Sequence, residues 1–170
     1  MSLTQEQADA RARGIGGSEA AAVCGISPWL TPVQLWQAKR GEVPPPDLSD
    51  NELVRWGELL EEVIGKECAR RKGFVVHRVR EPKIDKAHPF MLANIDFRIV
   101  GKRAGLEVKN TSQWTSEKWG EIGTDDVPPY YLMQGVHYMR VLDYDEWYYA
   151  VLLGGNELLT YRVERDAEIE

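Results

Sequence analysis

The run Gly105–Asn110, GLEVKN, sets Glu107 and Lys109 two positions apart in a segment that otherwise has the apolar character of a strand. Side chains alternate across a strand, so this acid and this base share one face while Leu106 and Val108 take the other. Asp96 stands upstream in ANIDFRI, with Ile95 and Phe97 beside it and expected on the opposite face. If the two strands pair as a hairpin through GKRAG, Asp96 and Glu107 fall on one face of the sheet. Two carboxylates placed so repel each other unless a cation lies between them. All-oxygen ligands at a strand edge suit a hard divalent ion, Mg²⁺ or Mn²⁺. Lys109, one step further on, is then placed to hold an attacking water or to offset charge on a phosphate. Taken alone, the same residues also describe a solvated strand face with a cross-strand ion pair, the commoner use of acids and lysines on strands.

Other segments offer further candidates. Glu61, in RWGELLEEVIG, falls at the border of an apolar helical stripe, where a glutamate either reaches toward a sheet or stays on the surface. RARGIGGSEAA puts Arg11, Arg13 and Ser18 around a glycine turn at a helix start. Backbone N–H groups with a hydroxyl and an arginine there make a phosphate seat, or simply a helix cap with exposed arginines. No G-K-[ST] follows, so this is not a P-loop. VPPYYLMQGVHYM places Tyr131 and Gln134 on one helical face; Gln134 can reach a site, whereas Tyr131 and Tyr138 suit a core. The histidines His77, His88 and His137 are scattered, which gives no support to a histidine metal site or a Ser–His–Asp triad.

These residues need a scaffold. A helix is expected to open near Ser18 and stop at Gly25. A second starts near Thr31 with Pro32 in its first position, turns Leu35 and Trp36 inward and ends at Gly41. The longest helix carries Leu53, Trp56, Leu60, Ile64 and Cys68 as one buried stripe and stops at Gly73. FVVHRV, PFMLANIDFRIV and AGLEVKN then read as three strands. PPYYLMQGVHYMRVL reads as a helix with a proline start, and EWYYAVLL and LLTYRVE as a closing pair of strands around GGN. Helices, strands, helix and strands in that order make an α+β, or mixed-sheet α/β, domain. With 170 residues, 43% of them hydrophobic and 28% charged, the chain fits one globular domain over residues 1–170. GEVPPPDLSDN, residues 41–51, is an exposed loop within it.

Bulk properties narrow the function. No run approaches the roughly 20 apolar residues of a membrane span, and MSLTQEQADARARG lacks the apolar region of a secretory signal. Cys24 and Cys68 form no C-x-x-C pair, which argues against a disulfide framework or zinc knuckle and favours a reduced, intracellular setting. A net charge of −6 argues against general affinity for nucleic acid but is compatible with a local basic groove and an acidic metal site.

In order, GIGGSEAAAVCG, SPWLTPVQLW, RWGELLEEVI, ANIDFRI, GLEVKN and VPPYYLMQGVHYM resemble the YqaJ-type viral recombinase family, relatives of phage lambda exonuclease in the PD-(D/E)XK nuclease superfamily. The resemblance runs from about Arg11 to about Val151. D…ExK is unspecific by itself; its ordered combination with GxGGSE, WGxxLE and P-x2-Y-x2-Q is specific. The resemblance implies a restriction-endonuclease-like core, a central mixed β-sheet flanked by helices. It also implies a Mg²⁺-dependent exonuclease that degrades one strand of duplex DNA from a 5′ end. Such an enzyme would be encoded by phage or prophage and act in the bacterial cytoplasm. Carried over by motif, Asp96, Glu107 and the Val108 carbonyl are metal ligands and Lys109 is the catalytic lysine. Glu61 is the acid of the first core helix and Gln134 the glutamine of the helix after the sheet. Arg11 and Ser18 hold the 5′-terminal phosphate. The implied partners are double-stranded DNA ends, a single-strand annealing protein and further copies in a homotrimer. Two features depart from the pattern: Ile95 precedes Asp96 where the superfamily name has proline, and RDAEIE follows the last strand where some relatives carry a further helix. A structure-selective or site-specific endonuclease, or a catalytically silent DNA-binding or assembly module, would be built on the same fold.

Overall fold

A computed structural model describes residues 14–44, 48 and 50–170. Arg11, Arg13 and much of the proline-rich loop (45–47 and 49) lie outside the described residues. The first elements are β1 (Ile15–Gly16), α1 (Gly17–Val23), α2 (Pro32–Lys39) and α3 (Glu52–Lys72). Short strands β2 (Val76–Arg78), β3 (Lys83–Ile84), β4 (Met91–Ala93) and β5 (Phe97–Ile99) follow, then the longer β6 (Ala104–Thr111). A 3-10 turn (Gln113–Lys118), α4 (Pro129–Leu142), β7 (Glu146–Leu153) and β8 (Glu157–Glu164) complete the order.

The main sheet runs β2-β5-β6-β7-β8. Within this sheet β6 and β7 pair in parallel, Glu107 opposite Tyr149 and Lys109 opposite Val151, while the other described pairs are antiparallel, so the sheet is mixed. Parallel neighbours need a crossover, which α4 supplies. One sheet face, with Phe97, Leu106, Val108 and Tyr148, packs against Ile64 and Cys68 of α3. The other, with Trp147, Tyr149 and Val151, packs against Val136, Tyr138 and Met139 of α4. A second sheet, β1-β4-β3, flanks the first. Both cysteines are free, Cys68 buried and Cys24 exposed. No helix among the described residues is long and apolar enough to cross a membrane.

Capping residues set most helix ends. Thr31 and Gln34 cap α2 reciprocally, with Pro32 in the first turn. Asn51 Oδ1 accepts from the Leu53 and Val54 amides at 3.0 and 3.2 Å, and Gly73, at φ 69°, closes α3. Pro129 opens α4. The opening of α1 differs from expectation. Gly16 is its cap, and Glu19 reaches back to accept from the Gly16 amide at 2.9 Å, so Ser18 lies inside the first turn.

Three further expectations are corrected. The α3 stripe is buried only in its C-terminal half, at Ile64 and Cys68; Leu53 is 82% and Trp56 52% exposed, because the first turns have no sheet beneath them. Trp36 faces solvent, with the Arg40 guanidinium 4.9 Å from its ring centroid. PFMLANIDFRIV is two strands in two sheets: β4 ends at Ala93, β5 begins at Phe97, and Asp96 occupies the bend. Ile95 and Phe97 therefore enter different core layers, on opposite sides of the main sheet.

Gly105 lies directly against Trp147; a Cβ there would sit 2.1 Å from the Trp147 ring, which is fully buried. Gly105→Ala should destabilise the fold by about 1–3 kcal/mol through overpacking. At roughly 2–4 °C per kcal/mol for a domain of this size, thermal unfolding will register it. An unchanged Tm would show that Trp147 does not rest on that position.

Candidate active site

Glu107 sits mid-strand in β6 on the face that α4 covers, and is 5% exposed. Its Oε1 accepts from Lys109 Nζ at 2.9 Å and from Gln134 Nε2 at 2.7 Å. Gln134 Oε1 in turn accepts from Lys109 Nζ at 3.0 Å, closing a triangle of three side chains. The other carboxylate oxygen, Glu107 Oε2, is buried and has no hydrogen-bond partner. An unpaired buried carboxylate oxygen carries a large desolvation cost.

Asp96 stands at the β5 end of the same group. Its Oδ2 accepts from the Val108 amide at 2.7 Å, and its own carbonyl accepts from the Val79 amide at 3.0 Å. The β5–β6 register, Phe97 opposite Leu106, brings Asp96 level with Glu107. Glu61, on α3, is half-buried and accepts from Arg78 Nη2 at 2.7 Å; Arg78 also lies 3.6 Å from Glu62. The structure thus gathers Glu61, Asp96, Glu107, Lys109 and Gln134 from α3, the β4–β5 bend, β6 and α4.

The charges act on one another. Burial, then the charges of Glu107 and Glu61, push the Asp96 carboxyl well above the usual carboxylate range, against the pull of Lys109 and the Val108 amide. Burial raises Glu61 as well, with Arg78 opposing and Glu107 adding to the rise. Burial works against the charge on Lys109, but Glu107, Tyr131 and Asp96 outweigh it and hold the ammonium above its ordinary pKa.

The residues that could hold a hard divalent cation are Asp96 and Glu107, with the Val108 carbonyl. Among the described residues no three carboxylate, imidazole or thiol side chains converge as a metal site, so such a set would comprise two carboxylates and a main-chain carbonyl. Glu107 Oε2 is unspent. Asp96 bonds the Val108 amide. The N–H and C=O of a strand residue point to the same edge, so the Val108 carbonyl faces the side on which Asp96 stands.

Sequence reasoning missed three supports. Tyr131 is not simply core: Lys109 Nζ lies 4.6 Å above its ring centroid. Its spacing from Gln134 was the available signal. Tyr138 Oη accepts from Gln134 Nε2 at 3.2 Å, one helical turn away. Nothing in FVVHRV marks Arg78 as the partner of Glu61. Ser18 is exposed on the first turn of α1, where Glu19 pairs with Lys39 at 2.8 Å; Arg11 lies outside the described residues. Gly17 touches the Tyr138 ring so closely that a Cβ would stand 2.3 Å from it.

The architecture has close counterparts among solved structures. An alkaline exonuclease from Laribacter hongkongensis superposes with a TM-score of 0.75, at 19% identity, over 98% of this chain and 87% of that one. The same enzyme in complex with dAMP gives 0.75 at 18% identity, over 98% and 85%. A phage-related exonuclease from Haemophilus somnus 129PT gives 0.68 at 14% identity, over 92% and 86%. The chain therefore shares the fold of these structures, a central mixed sheet flanked by helices. The family model described as the YqaJ-like viral recombinase domain matches residues 7–145, and the chain belongs to that family. It is also 40% identical over 164 residues to the uncharacterized protein YqaJ of Bacillus subtilis strain 168, across 94% of this chain and 49% of the relative. The chain spans about half the length of that curated relative.

Asp96 sets a pH dependence. Its folded pKa lies above the unfolded value of about 3.9. The folded state therefore binds the proton more tightly, favouring the fold at low pH and losing that contribution as pH rises through the folded pKa. In EDTA at neutral pH, Asp96→Asn should be more stable than wild type. The gain should shrink as pH falls toward about 4. Urea unfolding across that range tests this; a variant less stable at every pH would show that repulsion does not burden Asp96.

Proposed function

We propose that this chain is a metal-dependent deoxyribonuclease, and within that class a 5′-to-3′ exonuclease acting on double-stranded DNA ends. The observation that carries the reading is the buried, unpaired Glu107 Oε2, set level with Asp96 and beside the Lys109 ammonium. Mg²⁺, or Mn²⁺ in its place, held by Asp96, Glu107 and the Val108 carbonyl, would supply a bound water of lowered pKa and positive charge against the phosphate. Gln134 and Lys109 occupy Glu107 Oε1 and so leave Oε2 for the ion. Lys109, kept protonated by its neighbours, orients the nucleophile or offsets charge as the phosphate passes through its crowded transition state. Glu61, tied to Arg78, adds negative charge from the far side of the group.

Kinship in fold with proteins described as exonucleases, one holding dAMP, supports DNA as the substrate. The 5′ polarity rests on Arg11 and Ser18 as a seat for a terminal phosphate, which carries more negative charge than an interior diester. The exposed position of Ser18 supports it. A single-strand annealing partner, a homotrimer and a bacterial cytoplasmic setting linked to phage complete the proposal on family kinship alone.

The decisive experiment offers linear duplex DNA and supercoiled plasmid with and without Mg²⁺. Nucleotide release from the linear form only, and only with metal, is expected. Nicking of the plasmid would make the protein an endonuclease, and no hydrolysis of either would leave a binding module. Lys109→Ala should lower kcat by roughly 10²-fold or more with a small change in DNA affinity. A loss confined to KM would make Lys109 a DNA-binding residue. On matched duplexes, wild type should prefer 5′-phosphate over 5′-hydroxyl ends and Arg11→Ala should not. Equal wild-type rates on both ends would remove Arg11 and Ser18 from the site.

A further inference from the structure

Trp29, on the loop between α1 and α2, is 67% exposed, so most of its ring surface goes without burial. Its loop is nonetheless fixed. The Ile26 and Ser27 amides donate to the Ala21 carbonyl at 2.9 and 3.1 Å, and the Ser27 hydroxyl accepts from the Trp29 and Leu30 amides at 3.2 and 3.3 Å. The ring is also the outer end of an aromatic ladder. Trp29 meets Tyr130 edge-on at 4.9 Å between centroids and Tyr131 at 6.1 Å. Tyr131 stacks at 5.5 Å on buried Trp119, which anchors the ladder in the core. Lys109 Nζ stands 4.6 Å over the same Tyr131 ring. The ladder thus joins the Lys109 ammonium to an aromatic surface open to solvent.

We propose that Trp29, flanked by Tyr130, is a stacking platform for a nucleobase of the strand being cut. The inference rests on the nuclease reading and adds to it a contact with the base. The steps from Lys109 Nζ to the Tyr131 ring and from Tyr131 to Trp29 place the platform within about three nucleotides, at roughly 3.4 Å rise each, of the Lys109 ammonium. Every base presents a π-face, so the platform serves an enzyme that must accept any sequence at its site. A rigid two-torsion side chain loses little freedom when a base settles on it. Trp36, also exposed, has its ring engaged by Arg40 and shares no ring contact with this ladder among the described residues.

The test measures affinity by anisotropy, with the full chain in Ca²⁺ buffer, for a labelled single-stranded oligothymidylate and for its counterpart abasic at the terminal nucleotides. Wild type should bind the base-bearing strand more tightly. Trp29→Ala should lose about 5- to 100-fold on that strand and little on the abasic one. Trp29→Phe should retain most of the discrimination, and Tyr130→Leu should weaken it. Equal binding of both strands by wild type, or unchanged binding by Trp29→Ala, overturns the platform. So does a change of sedimenting mass in Trp29→Ala with base discrimination intact, which would make the patch a protein interface. Wild type that discriminates the base but hydrolyses no DNA in Mg²⁺ or Mn²⁺ would sink the nuclease reading and leave the platform standing.

Discussion

The site depends on how one carboxylate divides its two oxygens. Glu107 Oε1 is held by Lys109 and by Gln134, and these two are bonded to each other. The three groups fix one another, so none can turn without breaking two contacts. Oε2 is left without a donor in a place that water does not reach. A buried oxygen without a donor is costly, and the proposed cation would offset that cost. The arrangement requires β6 and β7 to lie in parallel register and α4 to press its Gln134 face onto β6, and the crossover connection supplies both.

Asp96 shows how a side-chain hydrogen bond to the neighbouring strand overrides strand propensity. The segment from Met91 to Ile99 has the composition of one strand, yet its two halves belong to different sheets. The Asp96 carboxylate takes the Val108 amide that a continuing β5 would have met with its backbone, while the Asp96 carbonyl serves Val79. Short polar side chains compete with ladders in this way. The bend at once ends β4, places a carboxylate level with Glu107 and hands the chain from the small sheet to the large one.

Much of this was legible in the sequence because it was written in short-range rules. Alternation in GLEVKN put Glu107 and Lys109 on one face, and prolines and glycines marked the helix ends at Pro32, Gly73 and Pro129. The parts that were not legible depend on distant partners. Periodicity made Leu53 and Trp56 continue the stripe of Ile64 and Cys68, since a helix pattern carries no record of where the opposing sheet stops. The bend at Asp96 depends on an amide twelve residues on. Glu61 entered the site only by resemblance, because a glutamate at the edge of a stripe is locally ambiguous; its depth and its pairing with Arg78 were decided by tertiary packing.

Gly17 bears on the site without contributing a chemical group to it. Tyr138 fills the space a Cβ would need, and its hydroxyl takes the Gln134 amide that also holds Glu107. In mechanical terms the phenol ring is a spacer of fixed length between the start of α1 and the carboxylate. A displacement at one end is delivered to the other nearly undiminished, since aromatic rings do not compress and close-packed interiors offer little slack. The glycine-rich turn and the carboxylate pair therefore share one positional tolerance, although they lie far apart in the chain.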